Sequence, residues 1–345
     1  MAAHRRILVA ILLGSSLFAL PAQGASWQQL HERVAELSRQ RQYAQMLTAA
    51  LEALRVAEAT FGINHPATAV STYDVASAHE ALGQSQPAET YYRRALTLEE
   101  RTLGPAHPET LKCLNNLAAL YSRTGRKEQA EPLLLRVVRT GRSSPDPAVT
   151  TGVAVAAFNL AEQYSEQGRF DAAAPLYQES LSIVERGAAA APLAPDYILY
   201  RFAVSYHKQK NHLQAEALLK RALAIREASP ARDSLATAEI LAARGATQSN
   251  LGRYRDAEST LKRALQIEEA AGANRAKAAE ALLNLAALYR IQSRYAEAEP
   301  LLRRSLQIRE KISGPADPEA VRTLMTLANL HRDQVIYASA ETLFL

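Results

Sequence analysis

The chain has 345 residues, 48% of them apolar but only 6% aromatic, with Ala and Leu dominating. That balance suits long helices built on Ala, Leu, Glu, Arg and Gln and argues against a sheet rich in Val, Ile and aromatic side chains. The net charge of +5 (40 basic and 35 acidic residues) falls to +3 without Arg5 and Arg6 and is evenly spread, so nucleic acid is not the expected partner.

From the N-terminus, Arg5 and Arg6 precede an apolar run from Ile7 to Leu20, then Pro21 and the small-residue sequence Ala22-Gln23-Gly24-Ala25. A short basic stretch, an apolar helix and small residues at a cleavage site predict a secretory signal peptide over residues 1–24, cut after Gly24 or, alternatively, after Ala25. At 14 residues the run is short for a bilayer, so an uncleaved anchor is the weaker reading, and no transmembrane segment is expected after cleavage. The expected location is outside the cytoplasm, periplasmic or extracellular, and the style of the signal with the Ala/Arg-rich composition suggests a bacterium. Cys113 is the only cysteine, which excludes an intrachain disulfide and predicts a small buried residue.

Beyond residue 25 the chain is repetitive. The string Asn116-Leu-Ala-Ala-Leu-Tyr121 returns as Asn284-Leu-Ala-Ala-Leu-Tyr289, 168 positions on, which is four times 42. Weaker copies stand at Asn159–Tyr164, Arg201–Tyr206 and Thr326–His331. A second series of small residues falls at Ala53, Ala95, Val137, Ser180, Ala222, Ala264 and Ser305, in steps of 42, 42, 43, 42, 42 and 41. The predicted elements are therefore pairs of amphipathic helices: a degenerate copy at 26–63, copies at 67–104, 108–141, 147–187, 195–229, 231–272 and 274–313, and an incomplete one at 318–345.

Within the third copy Leu114, Leu117, Ala118 and Tyr121 form one apolar stripe on the first helix, and Ala130, Leu134, Val137 and Val138 the inner face of the second. Gly125 stands between them, as do Gly83, Gly168 and Gly252 in other copies, where a left-handed residue ends a helix. Between copies lie Gly62–Pro66, Gly104–Pro108, Ser144–Pro147 and Gly314–Pro318, glycine stopping one helix and proline starting the next. In the last copy the second helix is expected to open at Tyr337.

This pattern resembles the tetratricopeptide repeat. The 42-residue period, the connector Leu103-Gly-Pro-Ala-His-Pro108 and the strings Ala130-Glu-Pro-Leu-Leu134 and Ala298-Glu-Pro-Leu-Leu302 are similar to the kinesin-light-chain kind. The resemblance implies an all-α fold, a right-handed α-α superhelical solenoid of about seven to eight tetratricopeptide-type helical hairpins. It also implies a non-catalytic scaffold that binds protein or peptide partners in a concave groove lined by the first helix of each pair.

Carried over copy by copy, the middle of that groove is Asp74, Asn116, Asn159, Arg201, Ala243, Asn284 and Thr326. An amide there could donate to and accept from a bound backbone. Helical spacing adds Lys112, Arg123, Tyr200, Lys208, Arg290, Arg322, Asn329 and Arg332 to the same face, with Glu162, Glu166, Glu239 and Glu280 as acidic neighbours. The lean towards Arg290, Arg322 and Arg332 predicts docking of acidic or C-terminal carboxylate groups. Arg201 and Ala243 in place of Asn, and Gln248 in place of Tyr, depart from the repeat.

No phosphate loop, dinucleotide fingerprint, His-Glu-x-x-His or Gly-x-Ser-x-Gly occurs, and no cofactor or metal is expected. His65 and His107 read as parts of the connectors. Glu99-Glu100 and Glu268-Glu269 read as exposed carboxylates on solvated helix faces. Two other readings stay open: a recognition arm of a larger exported protein with a CHAT-type peptidase domain, and a homo-oligomer paired through its C-terminal edge, which ends in Thr342-Leu-Phe-Leu345.

Overall fold

The computed structural model describes residues 25–187, 193–228, 234–272 and 276–344, with side chains as far as Val335. The predicted signal peptide and Gly24 lie outside the described residues; Ala25 is the first of them and is exposed. Every regular element among the described residues is a helix. In order they are α1 (Trp27–Arg39), α2 (Tyr43–Phe61), α3 (Pro66–Ala81), α4 (Ser85–Thr102), α5 (Pro108–Arg123), α6 (Lys127–Gly141), α7 (Pro147–Glu166), α8 (Phe170–Glu185), α9 (Pro195–Lys208), α10 (His212–Glu227), α11 (Leu235–Asn250), α12 (Tyr254–Ala270), α13 (Ala276–Ile291), α14 (Tyr295–Ser313) and α15 (Pro318–Phe344). They make seven antiparallel-type hairpins and a last single helix, an all-α repeat solenoid. None is long and apolar enough to cross a membrane.

Local chemistry explains where each helix starts and stops. Pro66, Pro108, Pro147, Pro195 and Pro318 are first helical residues, where the missing N–H leaves nothing unsatisfied. The connector histidines are N-caps: His65 Nδ1 accepts from the Ala67 amide at 3.1 Å, and His107 Nδ1 from the Glu109 amide at 3.3 Å. Thr68 and Thr110 close the same connectors by donating to the carbonyls of Gly62 and Gly104 at 2.7 and 2.9 Å. Inside each hairpin one residue turns left-handed. The series is Arg41, Gly83, Gly125, Gly168, Lys210, Gly252 and Ser293, with φ between 58° and 78°. The next amide then reaches back five residues, as from Arg126 to the Tyr121 carbonyl and from Arg294 to the Tyr289 carbonyl, both 2.8 Å.

The chain divides into two units, Met1–Leu103 and Gly104–Leu345. In the first, Val34, Leu37, Met46, Ala49, Ala50, Leu54, Val75 and Ala78 form the core of α1 to α4. In the second, a core of the same kind includes Ala257, Leu261, Leu285, Ala286, Tyr289, Ala298, Leu302 and Leu330. The seven small residues that set the period are all fully buried. Two show why they are small: Ser180 Oγ donates to the Ala154 carbonyl at 2.8 Å, and Ser305 Oγ to the Ala279 carbonyl at 2.7 Å. Side chain and neighbouring backbone touch there, which leaves no room for a larger residue. Cys113 is buried, as expected.

Repeats in the second unit are also fastened by a recurring polar junction. Tyr164 donates to Glu131 at 2.8 Å while Arg169 lies 3.9 Å over its ring and bonds the same carboxylate. Tyr289, Glu258 and Arg294 repeat the arrangement, with bonds of 3.0 and 2.6 Å and the guanidinium 4.1 Å from the ring. Where Gln248 replaces Tyr, its amide donates to Glu216 at 3.3 Å instead, joined by Arg244 at 3.1 Å.

Two expectations are corrected. The last copy does not open a second helix at Tyr337: α15 runs unbroken from Pro318 to Phe344. The position where other copies turn left-handed is Val335, and a β-branched side chain resists positive φ, so the helix continues. Second, Glu99 and Glu268 are 0% and 3% exposed rather than solvated. Each sits four residues after a buried small residue, Ala95 or Ala264, so helical geometry turns it inward on the same face. Glu269, one residue on, faces outward and pairs with Arg304 at 2.5 Å.

Candidate functional site

In the Gly104–Leu345 unit each hairpin's first helix contributes one residue to the middle of a shared face. These are Asn116 on α5, Asn159 on α7, Arg201 on α9, Ala243 on α11, Asn284 on α13 and Thr326 on α15, all half-buried. Each of these helices touches the next, α5 on α7, α7 on α9, α9 on α11, α11 on α13 and α13 on α15, so the six positions run along one surface. In the other unit, the equivalent Asp74 is already engaged by His31 Nδ1 at 2.8 Å.

Two hollows interrupt that surface. The first, of about 470 Å³, lies between α5, α6 and α7 and is lined by Ala119, Ser122, Arg123, Lys127, Asn159, Glu162, Gln163 and Glu166. Its charges are answered within the chain. Lys127 pairs with Glu166, Glu162 with Arg201, and Tyr177 donates its hydroxyl to Glu162. Burial pushes the Glu162 carboxyl above its ordinary range, against the opposing pull of Tyr177 and Arg201. Arg201 is raised too: burial works against its charge, and Glu162 leads the groups that outweigh it. This network fixes the middle of the face, and Arg201 belongs to it instead of extending the Asn ladder.

The second hollow, of about 270 Å³, lies between α9, α11 and α13. Ala238, Ala242, Ala243, Ala246 and Ala281 make it deep, while Tyr200, Val204 and Asn284 form its walls. Glu239, Glu280 and the buried Glu268 also line it, against the single ammonium of Lys277. Lys277 stands 3.1 Å from Glu280 and 3.7 Å from Glu239. Burial, then the Glu239 charge, raises the Tyr200 phenol, so it stays protonated.

Other expected members of the face are less available. Lys112 pairs with Glu109 at 3.0 Å, Arg290 with Asp333 at 2.7 Å, Arg332 with Asp333 at 3.5 Å, and Arg322 with Glu319. The basic lean of the C-terminal copies is thus largely answered by carboxylates of the same helix or its neighbour. Asn329 is half-buried on α15. His207 and His212 come together with ring centroids 5.0 Å apart, and His207 also reaches Thr247 at 3.1 Å; burial, then His212, lowers its pKa. Of the residues expected on the face, Asn116, Asn159, Tyr200 and Asn284 lie on it or line its hollows, and the alanine hollow and Glu268 were not among those expected. The available signal was the run of alanines at 238, 242, 243 and 246, which leaves the middle of α11's face with short side chains beside Glu239.

A model of the tetratricopeptide repeat matches residues 31–101, 88–143, 197–270 and 277–345, and a second such model matches 156–188. The chain belongs to the tetratricopeptide-repeat family. Its 42-residue spacing resembles the kinesin-light-chain kind. No curated protein matches this tetratricopeptide-repeat chain in sequence. Among solved structures it is similar to BtubC (BKLC) from P. vanneervenii, with 22% identity and a TM-score of 0.52 over 70% of this chain and 91% of that one. It is similar to the apo quorum sensor NprR from B. thuringiensis, with 16% identity and a TM-score of 0.59 over 82% and 76%. A tetratricopeptide repeat protein from Parabacteroides merdae gives 13%, 0.55, 88% and 99% for the same quantities. At these identities the likeness is one of fold.

Proposed function

We propose that this chain is a non-catalytic scaffold that holds an extended segment of a partner protein along the first-helix face of its Gly104–Leu345 unit, and that it works outside the cytoplasm. One observation carries the binding reading: α5, α7, α9, α11 and α13 place Asn116, Asn159, Tyr200 and Asn284 on one continuous surface with two hollows between them. The amides of Asn159 and Asn284 are half-buried, so a bound backbone would meet donors and acceptors already held in place. Export rests on the signal-like residues 1–24 alone. A library of unstructured peptides displayed on phage, selected against the full chain, tests the binding reading. Selected peptides should lose about tenfold or more in affinity to Asn159→Ala/Asn284→Ala, the effect of one or two hydrogen bonds to buried partners. Undiminished affinity would remove the face as the site. Fractionation of the native host tests export, and a cytoplasmic, uncut chain would overturn it.

A second reading is favoured by α15. Leu324 and Met325 correspond to Leu282 and Leu283 on α13, which are 0% and 7% exposed, yet they are 42% and 63% exposed. With Val321 they form an apolar edge that suits pairing with a second copy. Light scattering after size-exclusion chromatography should give twice the chain mass, reverting to one with Met325→Glu; a monomer throughout would end this reading.

A further inference from the structure

We propose that the hollow between α9, α11 and α13 is a pocket for an arginine side chain of the bound segment, an assignment that rests on the peptide-binding face proposed above. Its shape follows from a substitution. Ala243 stands where α5, α7 and α13 carry Asn, and Ala242 and Ala246 beside it are equally short, so α11 recedes from the surface. The methyl floor suits the three-carbon stem of arginine, which is apolar while its head is charged.

The rim suits the head. Glu239 and Glu280 both line the hollow within reach of Lys277, the buried Glu268 lines it as well, and the only cation among the lining residues is Lys277. An acidic side chain entering here would meet the carboxylates of Glu239 and Glu280, whereas a guanidinium would meet acceptors that match its planar donors. Tyr200 adds an aromatic wall against which a guanidinium can stack. The hollow beside Asn159 differs, because Arg123 and Lys127 balance Glu162 and Glu166 in number, with Lys127 paired to Glu166 and Glu162 to Arg201. Charge complementarity therefore selects a basic residue at one place on the face and not at the other.

Lys277 shows what the pocket accepts. It is the second residue of α13, its side chain is half-exposed, and its ammonium lies between Glu280 and Glu239. Burial works against that charge, yet the two carboxylates hold its pKa above the ordinary value. The chain's own lysine thus occupies the cation position from the rim, and a ligand arginine would take its place while Lys277 swings to solvent.

Alanine-methyl NMR of the full chain, titrated with Nα-acetylarginine amide, tests this. The methyl signals of Ala242, Ala243 and Ala246 should shift and saturate at about millimolar concentration, as a single side chain allows. Nα-acetylcitrulline amide has nearly the same shape without the charge and should bind at least about tenfold more weakly, the worth of a charge-assisted hydrogen bond. Glu239→Gln/Glu280→Gln should weaken the arginine probe by a similar factor. Lys277→Gln, which removes the competing cation, should tighten it several-fold. Unchanged methyl signals of Ala118 and Ala161 report that each variant keeps its fold. Equal binding of both probes, no saturable shift, or weaker binding by Lys277→Gln would overturn the assignment. If phage-selected peptides bind the face while these titrations fail, only the arginine pocket falls; if both fail, the face falls with it.

Discussion

Glu258 takes bonds from three donors: Arg294 at 2.6 Å, Lys262 at 2.7 Å and the Tyr289 hydroxyl at 3.0 Å. The Arg294 bond leads in holding its carboxyl at about 2 instead of the ordinary 4.5, and Lys262 adds to it. The sign of the consequence is fixed by linkage. The unfolded chain binds the proton more tightly, so the junction stabilises the fold fully above about pH 4.5 and loses that contribution as pH falls towards 2. Because the group is partly exposed and its ion pairs are screened by solvent, the effect is modest. Glu258→Gln should therefore lower the melting temperature at pH 7 by a few degrees, with the difference from the parent shrinking to nothing near pH 2. A difference that stayed constant with pH would show that the carboxylate charge does not matter. Single residues of this kind are poorly legible in a sequence. Glu131, Glu216 and Glu258 stand 33, 32 and 31 residues before Tyr164, Gln248 and Tyr289, and only the structure joins each to the Tyr or Gln of the following repeat. The buried Glu268 was missed for a related reason, since its neighbour Glu269 invites reading the two as one exposed pair.

At the scale of the element, the turn inside each hairpin depends on one left-handed residue. Gly125 adopts φ 78° freely, whereas Ser293 holds φ 58° at a steric cost that L-residues pay and glycine does not. Gly125→Ala should destabilise by about 1 kcal/mol, and Ser293→Gly should stabilise by about 0.5–1 kcal/mol after the greater freedom glycine brings to the unfolded chain. Denaturant midpoints measure both, and changes of the same sign would contradict a shared turn geometry. The helices themselves were legible because glycine, proline and the small-residue series recur every 42 residues or so. Legibility failed at the last hairpin, where the series continues on paper but Val335 takes the turn position and α15 runs on. The rhythm of apolar residues announces helix pairs; a single backbone conformation decides whether a pair forms.

At the scale of the molecule, the face was legible in outline because each first helix repeats its exposed position, and illegible in detail because its character comes from what α9, α11 and α13 do together. Tyr200, Ala243, Glu280 and Asn284 span 85 residues of sequence and meet only through stacking. That same stacking determines how stability is distributed. Within the Gly104–Leu345 unit each helix touches only near neighbours along the chain, so the free energy of the array is a sum of repeat and interface terms. Leu261 on α12 is fully buried, and it packs so closely on α11 that a Cβ at Gly245 would come within 2.5 Å of it. Leu261→Ala should remove about 2–5 kcal/mol of local packing. Hydrogen exchange should then quicken about thirtyfold or more in α11, α12 and α13, the factor that the lower end of that range implies, while α5, α6 and α7 keep their protection. Equal loss of protection from α5 through α14 would mean that the unit unfolds as a single block. The stacking that brings the two hollows onto one face would then be cooperative over its whole length, and a ligand in the pocket beside Tyr200 would stabilise the hollow beside Asn159 as strongly as its own.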